Sequence, residues 1–119
     1  IDHKISIYEE IHEINSRRFD INYKLGNLYG KYKNDIPKAL KYLKAAANIN
    51  PENKDVCKDL GVACGMAGQF DESIKWLKKA IILEPNDHTL YINLGISYQR
   101  AGNLNKAKEC FIKAEQIKK

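Results

Sequence analysis

The stretch LGVACGMAGQFDESIKWLKKAIILEP, residues 60–85, joins a half rich in small residues to an amphipathic, lysine-rich half. A glycine follows a leucine directly in a segment that otherwise has the composition of a helix. The same pattern returns 34 residues later, and the matching pairs are Leu60/Leu94, Gly61/Gly95, Cys64/Tyr98, Gly68/Gly102, Ser73/Ala107, Leu77/Phe111 and Ala80/Ala114. A constant period of this length is typical of helical repeat proteins, so the period predicts the fold class.

A third copy of the pattern precedes these two. Leu25-Gly26 lies 35 residues before Leu60-Gly61, whereas Leu43 lies 34 residues before Leu77, so one residue is inserted between Tyr29 and Ile36. Loops tolerate insertions, which predicts a turn there. We therefore predict a single array with repeats at 19–52, 53–86 and 87–119. Residues 1–16 are predicted to form the second helix of a truncated upstream repeat, in a fragment of a larger protein, because the chain begins at Ile1 and not at Met.

Each repeat is predicted to contain two amphipathic helices, because apolar residues recur every three or four positions within each half. Gly68 and Gly102 suit the left-handed cap that ends a first helix. Asp35, either Asn86 or Asp87, and Asn103 are candidate N-caps. The sequence thus predicts an all-α fold, an α-solenoid of antiparallel helix pairs.

Small residues mark where the two helices of a repeat are expected to cross. Gly26, Gly61 and Gly95 remove a side chain from the first helix, and alanine or serine does the same from the second helix. A glycine inside a helix costs about 1 kcal/mol relative to alanine. Its recurrence at one repeat position therefore predicts close packing, with Leu43, Leu77 and Phe111 among the larger residues that fill the remaining space.

This pattern resembles the tetratricopeptide repeat, in which Leu-Gly, Tyr, Ala, a large apolar residue, Ala and Pro recur within 34 residues. The resemblance covers about residues 19–119 and implies a right-handed superhelix. Cys57 and Cys64 depart from it, because they stand where aromatic residues are usual, and Ser73 replaces an alanine. The extra residue in the first repeat is similar to the variable spacing of Sel1-like repeats, which would change the curvature and not the class.

Composition narrows the function further. The net charge of +5 comes mostly from lysines at helical intervals, which favour a solvated outer face over a nucleic-acid surface because aromatic or arginine stacking partners are not interleaved with them. Three cysteines argue against a disulfide framework, and their spacing does not suggest zinc. We expect them to be buried packing residues, which is compatible with a cytoplasmic protein but leaves the localisation unknown. No membrane-spanning run and no signal peptide are visible in this fragment.

Catalytic patterns are equally weak. His3, His12 and His88 are scattered, and the sequence offers no spacing of a nucleophile and a base and no glycine-rich phosphate loop. We therefore predict that the segment is not an enzyme and holds no cofactor and no metal.

Tetratricopeptide arrays bind a peptide or protein segment in the concave groove of their first helices, so the resemblance implies such a site here. The residues predicted to bind the ligand are Tyr23, Lys24, Asn27, Lys31, Lys58, Val62, Met66, Ile92, Asn93, Ile96, Gln99 and Arg100. Asp20, Asp55, Asp59 and Thr89 are expected on the same face. Apolar residues outside the buried stripe favour a partner, although a neighbouring helix or a missing segment could also cover them.

The expected partner is a protein segment with an apolar anchor and at least one acidic group. A chaperone C-terminal tail is excluded, because the carboxylate clamp that binds such tails would need five residues of which only Asn27 is present, and Asp59 would repel a carboxylate.

Two functions stay open: a protein-binding scaffold, or a structural and self-association segment of a larger enzyme or of a secretion or membrane-associated protein. Weak self-association is expected through the terminal helices, at Leu104, Phe111 and Ile117 or at Ile5, Tyr8 and Ile11.

Overall fold

The structure is a computed structural model that describes residues 2–118, so Ile1 and Lys119, the outer ends of the predicted array, lie outside the described residues. Within that range it contains seven α-helices and no strand. The helices are α1 (Asp2–Ile14), α2 (Phe19–Lys31), α3 (Ile36–Ile49), α4 (Lys54–Met66), α5 (Phe70–Leu83), α6 (His88–Arg100) and α7 (Leu104–Lys118). The predicted all-α fold is confirmed.

The helices stack in chain order. The pairs α2/α3, α4/α5 and α6/α7 form the most extensive contacts, and each pair packs on the next through α3/α4 and α5/α6. The result is an elongated body of 46 × 23 × 22 Å, as expected for a solenoid. The first helices also approach each other, α2 with α4 and α4 with α6, whereas among the described residues the second helices α3, α5 and α7 do not. The first helices therefore line the inner, concave side.

The predicted helix ends are confirmed by their capping contacts. The Asp35 carboxylate accepts a hydrogen bond from the Lys38 amide at 3.2 Å. Asp87 and not Asn86 caps α6, because its carboxylate accepts the Thr89 amide at 3.0 Å. Gly68 and Gly102 adopt φ of 78° and 91°, the left-handed conformation that ends α4 and α6.

The predicted insertion lies in the turn between α2 and α3. In the second repeat the Gln69 amide donates to the carbonyl of Cys64, five residues earlier, at 2.9 Å. In the first repeat the corresponding bond, also 2.9 Å, joins the Asp35 amide to the carbonyl of Tyr29, six residues earlier. The extra residue is absorbed in this turn, where Asn34 has a φ of 52°.

Close packing at the repeated glycines is also confirmed. A Cβ atom added at Gly26 would lie 2.6 Å from Leu43 Cγ, and one at Gly61 would lie 2.7 Å from Leu77 Cγ. At Gly95 it would lie 2.6 Å from Phe111 Cε1. Each first helix thus crosses its second helix too closely for a side chain at the position of the glycine.

The cysteines are buried and free, as expected of packing residues. Burial raises the pKa of all three thiols, that of Cys64 to about 11. Cys57 has a further role, because its thiol contacts the carbonyl of Pro51 at 3.4 Å. At the equivalent position of the first repeat, the Asn22 amide donates to the carbonyl of Ser16 at 2.9 Å. The same repeat position therefore fixes the turn before each of these two helices.

The apolar residues that the terminal helices expose differ in part from the predicted ones. Ile5 is buried, and Tyr8 and Ile11 pack against the cluster that α1 forms with α2 and α3. Phe111 is half-buried, since its ring covers Gly95. Leu104 is exposed, as predicted, and Ile117 is half-buried. The other exposed large apolar residues in the described part of these helices are Ile7, Ile14 and Ile112, which were not predicted.

We expect Gly61→Ala to lower the free energy of unfolding by about 1–2 kcal/mol, because overpacking against Leu77 outweighs the gain in helix propensity. Gly30→Ala is the matched control, since a Cβ there meets only Ala39 Cβ at 3.4 Å. The control should be neutral or slightly stabilising. Urea denaturation of both variants measures the difference, and equal stability of the two would contradict the crossing-point argument.

Candidate ligand-binding groove

The inner face of α2, α4 and α6 carries two adjoining depressions, which we name cleft A and cleft B. Cleft A lies between α2 and α4 above α3, and has a volume of about 280 Å³. Cleft B lies between α4 and α6 above α5, and has a volume of about 170 Å³. Val62 and Met66 of α4 line both clefts, so α4 is the wall that the two clefts share.

Cleft A has an apolar floor and a polar rim. Ile36, Ala39 and Leu43 of α3 form the floor. The polar residues along its lining are Asn27, Lys31, Lys58 and Asp59. An apolar side chain that enters cleft A would therefore leave water without leaving a polar group of the floor unsatisfied.

Cleft B has a mixed floor. Phe70 and Leu77 supply apolar surface, and beside them lies a pair of buried hydroxyls from Ser73 and Ser97. Ser73 Oγ donates to the carbonyl of Gly61 at 2.7 Å and lies 2.7 Å from Ser97 Oγ. Because the Ser73 hydrogen points to Gly61, Ser97 is the donor between the two hydroxyls, and its own oxygen can still accept a hydrogen bond.

The charges on the groove are partly paired within the protein. Tyr23 donates its hydroxyl to Asp59 at 2.6 Å, a bond that ties α2 to α4. Burial, together with this bond to Asp59, raises the pKa of Tyr23. Lys58 Nζ lies 3.5 Å from the carboxylate of Asp87, the N-cap of α6. Hydrogen bonds from Thr89, with Lys58 nearby, lower the pKa of Asp87.

The structure brings together eight of the twelve predicted binding residues. Those that line a cleft are Asn27, Lys31, Lys58, Val62, Met66, Asn93, Ile96 and Arg100. The other four, Tyr23, Lys24, Ile92 and Gln99, line neither. Tyr23 is engaged by Asp59, and the Lys24 ammonium lies 5.5 Å from the centre of the Tyr8 ring on α1.

Sequence reasoning missed the two glycines that help to open the clefts. Gly30 lines cleft A and Gly65 lines cleft B, at the same position of the first and second repeats. The third repeat has Gln99 at that position. A glycine recurring outside the helix-crossing position was the available signal. This signal could not be interpreted without the structure, in which Ala39 lies behind Gly30 and Ser73 lies behind Gly65.

A larger depression of about 420 Å³ lies at the N-terminal ends of α4 and α6. Two ion pairs cross it, Lys54 with Glu84 and Lys58 with Asp87. Because both lysines of its lining are paired with carboxylates of the protein, we regard it as a polar seam between repeats and place the candidate site in clefts A and B.

Residues 2–118 contain no group of three or more His, Cys, Asp or Glu side chains placed to hold a metal ion. None of the seven helices in this range has the length and the hydrophobicity that a membrane-spanning helix requires.

Comparison with known protein families agrees with the helical repeats seen in the structure. A family model described as tetratricopeptide repeat matches residues 32–94, and a second with the same description matches residues 88–119. No curated protein matches the sequence.

Several solved structures are similar to the chain. MamA MSR-1 is 28% identical with a TM-score of 0.90, covering 98% of this chain and 67% of that one. MamA AMB-1 is also 28% identical, with a TM-score of 0.94 and coverage of 99% and 64%. A further MamA crystal structure is 26% identical, with a TM-score of 0.92 and coverage of 98% and 68%. The chain thus spans about two thirds of the length of these structures.

The hydrogen bond between Tyr23 and Asp59 predicts how the stability of the fold depends on pH. At pH 7 we expect Tyr23→Phe to lower the free energy of unfolding by about 1 kcal/mol, because a hydrogen bond to a carboxylate is lost. The raised pKa of Tyr23 means that its stabilising effect is present below the ordinary tyrosine pKa of about 10 and is lost as pH rises through the folded-state pKa. The unfolding free energy of the wild type should therefore fall above about pH 10, and that of Tyr23→Phe should fall less steeply.

Urea denaturation between pH 7 and pH 11 measures this difference. Tyr32→Phe is the control, because Tyr32 is 61% exposed. If both variants followed the wild-type pH dependence, the bond between α2 and α4 would not contribute to stability.

Proposed function

This chain belongs to the tetratricopeptide repeat family, and we propose that it is a protein-interaction scaffold that binds a protein segment in the groove of α2, α4 and α6. The family and the similar structures support a helical repeat scaffold, for which protein interaction is the usual role. The observation that carries the finer proposal is the pair of clefts on either side of α4. Concave sites of this kind, mostly apolar with a few polar groups, are typical of ligand binding.

The exposed apolar residues of the groove favour a ligand with an apolar anchor. Met66 is 60% exposed and Ile96 is 37% exposed. Both line cleft B beside other apolar side chains, so one partner could cover them together. Met66 is also unbranched and adaptable, so it can shape itself to an incoming side chain. Covering these residues would remove apolar surface from water, which is the main favourable contribution to association.

The charges favour a ligand that is also acidic. Lys31 at cleft A and Arg100 at cleft B are exposed and lie on cleft walls. Asp59 opposes them, and its carboxylate accepts the Tyr23 hydroxyl, so the acidic groups of the ligand are expected next to Lys31 and Arg100 and away from Asp59. Asp59 on the rim of cleft A also argues against a chaperone C-terminal tail, because it would repel the terminal carboxylate.

We also propose that the chain is a binding module and not an enzyme, because proteins of this family are generally non-enzymatic scaffolds.

Self-association is the second candidate role. Ile14 is 87% exposed and Ile7 is 42% exposed on α1, and Leu104 and Ile112 are exposed on α7. End-to-end contact of two copies would cover such residues, as neighbouring repeats do within a solenoid. Sedimentation of the wild-type protein over a range of concentrations tests this role independently of the groove.

We expect the double variant Val62→Lys/Ile96→Lys to weaken ligand binding by about 2 kcal/mol, or roughly 30-fold. The probe is a set of peptides selected on the wild-type protein from a displayed random library. Because lysine adds attraction for an acidic peptide, a loss of affinity would come from the altered apolar contact and not from charge repulsion. Fluorescence anisotropy measures the binding, and circular dichroism should show unchanged helicity.

Lys41→Glu/Lys75→Glu, on the outer second helices, is the matched control and should change the affinity little. The groove is the wrong surface if binding survives the change at Val62 and Ile96 but is lost in this control.

A further inference from the structure

We propose that the ligand is an extended acidic segment with two apolar side chains three residues apart, one entering cleft A and the other cleft B. This inference rests on the proposed function and specifies its ligand. Val62 and Met66 of α4 line both clefts, so one ligand lying across α4 can reach both.

The spacing follows from helix dimensions. Packed helices lie about 8–10 Å apart, so two clefts on opposite sides of α4 are separated by about 10 Å. In a polyproline II segment, residues three apart point to the same side and lie about 9 Å from each other. In a β-strand, same-side residues lie about 6.7 or 13 Å apart, and both distances differ more from a helix spacing of about 8–10 Å than the polyproline II distance does.

A helical ligand matches the distance but not the shape of the wall. Residues seven apart on a helix are about 10.5 Å apart, yet residues three and four positions on would point in the same direction. They would meet Met66, which projects from α4 between the clefts and is 60% exposed. In an extended segment the two intervening side chains point away from this ridge. The ridge therefore favours the extended conformation.

The clefts differ in a way that orients the ligand. Cleft A is the larger, at about 280 Å³ against 170 Å³, and its floor from α3 is apolar. Cleft B has the hydroxyls of Ser73 and Ser97 in its floor. We assign the larger, wholly apolar anchor to cleft A and the smaller anchor to cleft B.

The charges extend the same pattern. One repeat position holds Lys31, Met66 and Arg100 in the three repeats, which places a cation beyond each cleft and an apolar residue between them. An acidic residue outside each apolar anchor would therefore meet an exposed cation. Such contacts at an exposed rim are screened by salt, so they should add a salt-dependent part to the affinity.

Gly30 and Gly65 allow each cleft to be blocked separately. The third repeat carries Gln99 at their position, exposed on an intact helix, so Gly30→Gln and Gly65→Gln copy a residue that the fold already accommodates there. A glutamine at Gly30 would project into cleft A and one at Gly65 into cleft B. The Cβ at Gly65 would meet Ser73 Oγ at 3.2 Å, so thermal unfolding must confirm that this variant is folded.

The experiment uses the full chain and peptides of about a dozen residues, selected on the wild type from a displayed random library. We expect the selected peptides to share two apolar residues at positions i and i+3, flanked by acidic residues. Replacing either apolar residue by alanine should weaken binding roughly tenfold or more. Each cleft variant should weaken binding similarly, and should have little further effect on the peptide that lacks the matching anchor.

Other outcomes show whether only this inference is wrong or whether the proposed function is wrong as well. Peptides with one essential anchor, sensitive to only one variant, would overturn the two-anchor ligand and leave the groove standing. A helical spacing of seven would overturn the extended conformation alone. Peptides insensitive to Val62→Lys/Ile96→Lys, or no selected peptide at all, would overturn both proposals. A wild-type dimer that either cleft variant dissociates would show that a second copy occupies the clefts.

Discussion

The fold depends on one repeated contact, in which a glycine on each first helix lies directly against a large apolar residue on the second. Leu43, Leu77 and Phe111 occupy the space that a side chain at Gly26, Gly61 or Gly95 would need. Because this contact sets the separation within each helix pair, it also sets how one pair stacks on the next. The close approach of α2, α4 and α6 on the inner side is a consequence of three nearly identical pairs.

The groove arises where the repeats depart from one another. Val62 and Met66 occupy positions that hold Asn27 and Lys31 in the first repeat, so the apolar wall is centred on α4. Gly30 and Gly65 leave space beside it, and Gln99 does not. The residues that recur hold the helices in place, while those that differ give each cleft its own floor, rim and volume.

Much of this could be predicted from the sequence, because helix periodicity and capping are local. Asp35, Asp87 and Gly68 act where the sequence placed them. Contacts between repeats were harder to predict, since they depend on the angle between helices. Ile92 has the spacing of a groove residue but lies outside both clefts, and Tyr23 is engaged by Asp59, a contact between α2 and α4 that no spacing within one helix could indicate. Ile5 was expected at an exposed end, but α2 buries it.

The central claim is that the ligand lies on the inner helices across α4. Backbone amide chemical shifts, measured by nuclear magnetic resonance as a selected peptide is added, test it most directly. The account predicts that the largest shifts cluster around Gly30, Val62, Met66 and Ile96, on both sides of α4. Shifts concentrated on the outer helices α3, α5 and α7, around Lys41 and Lys75, would contradict it.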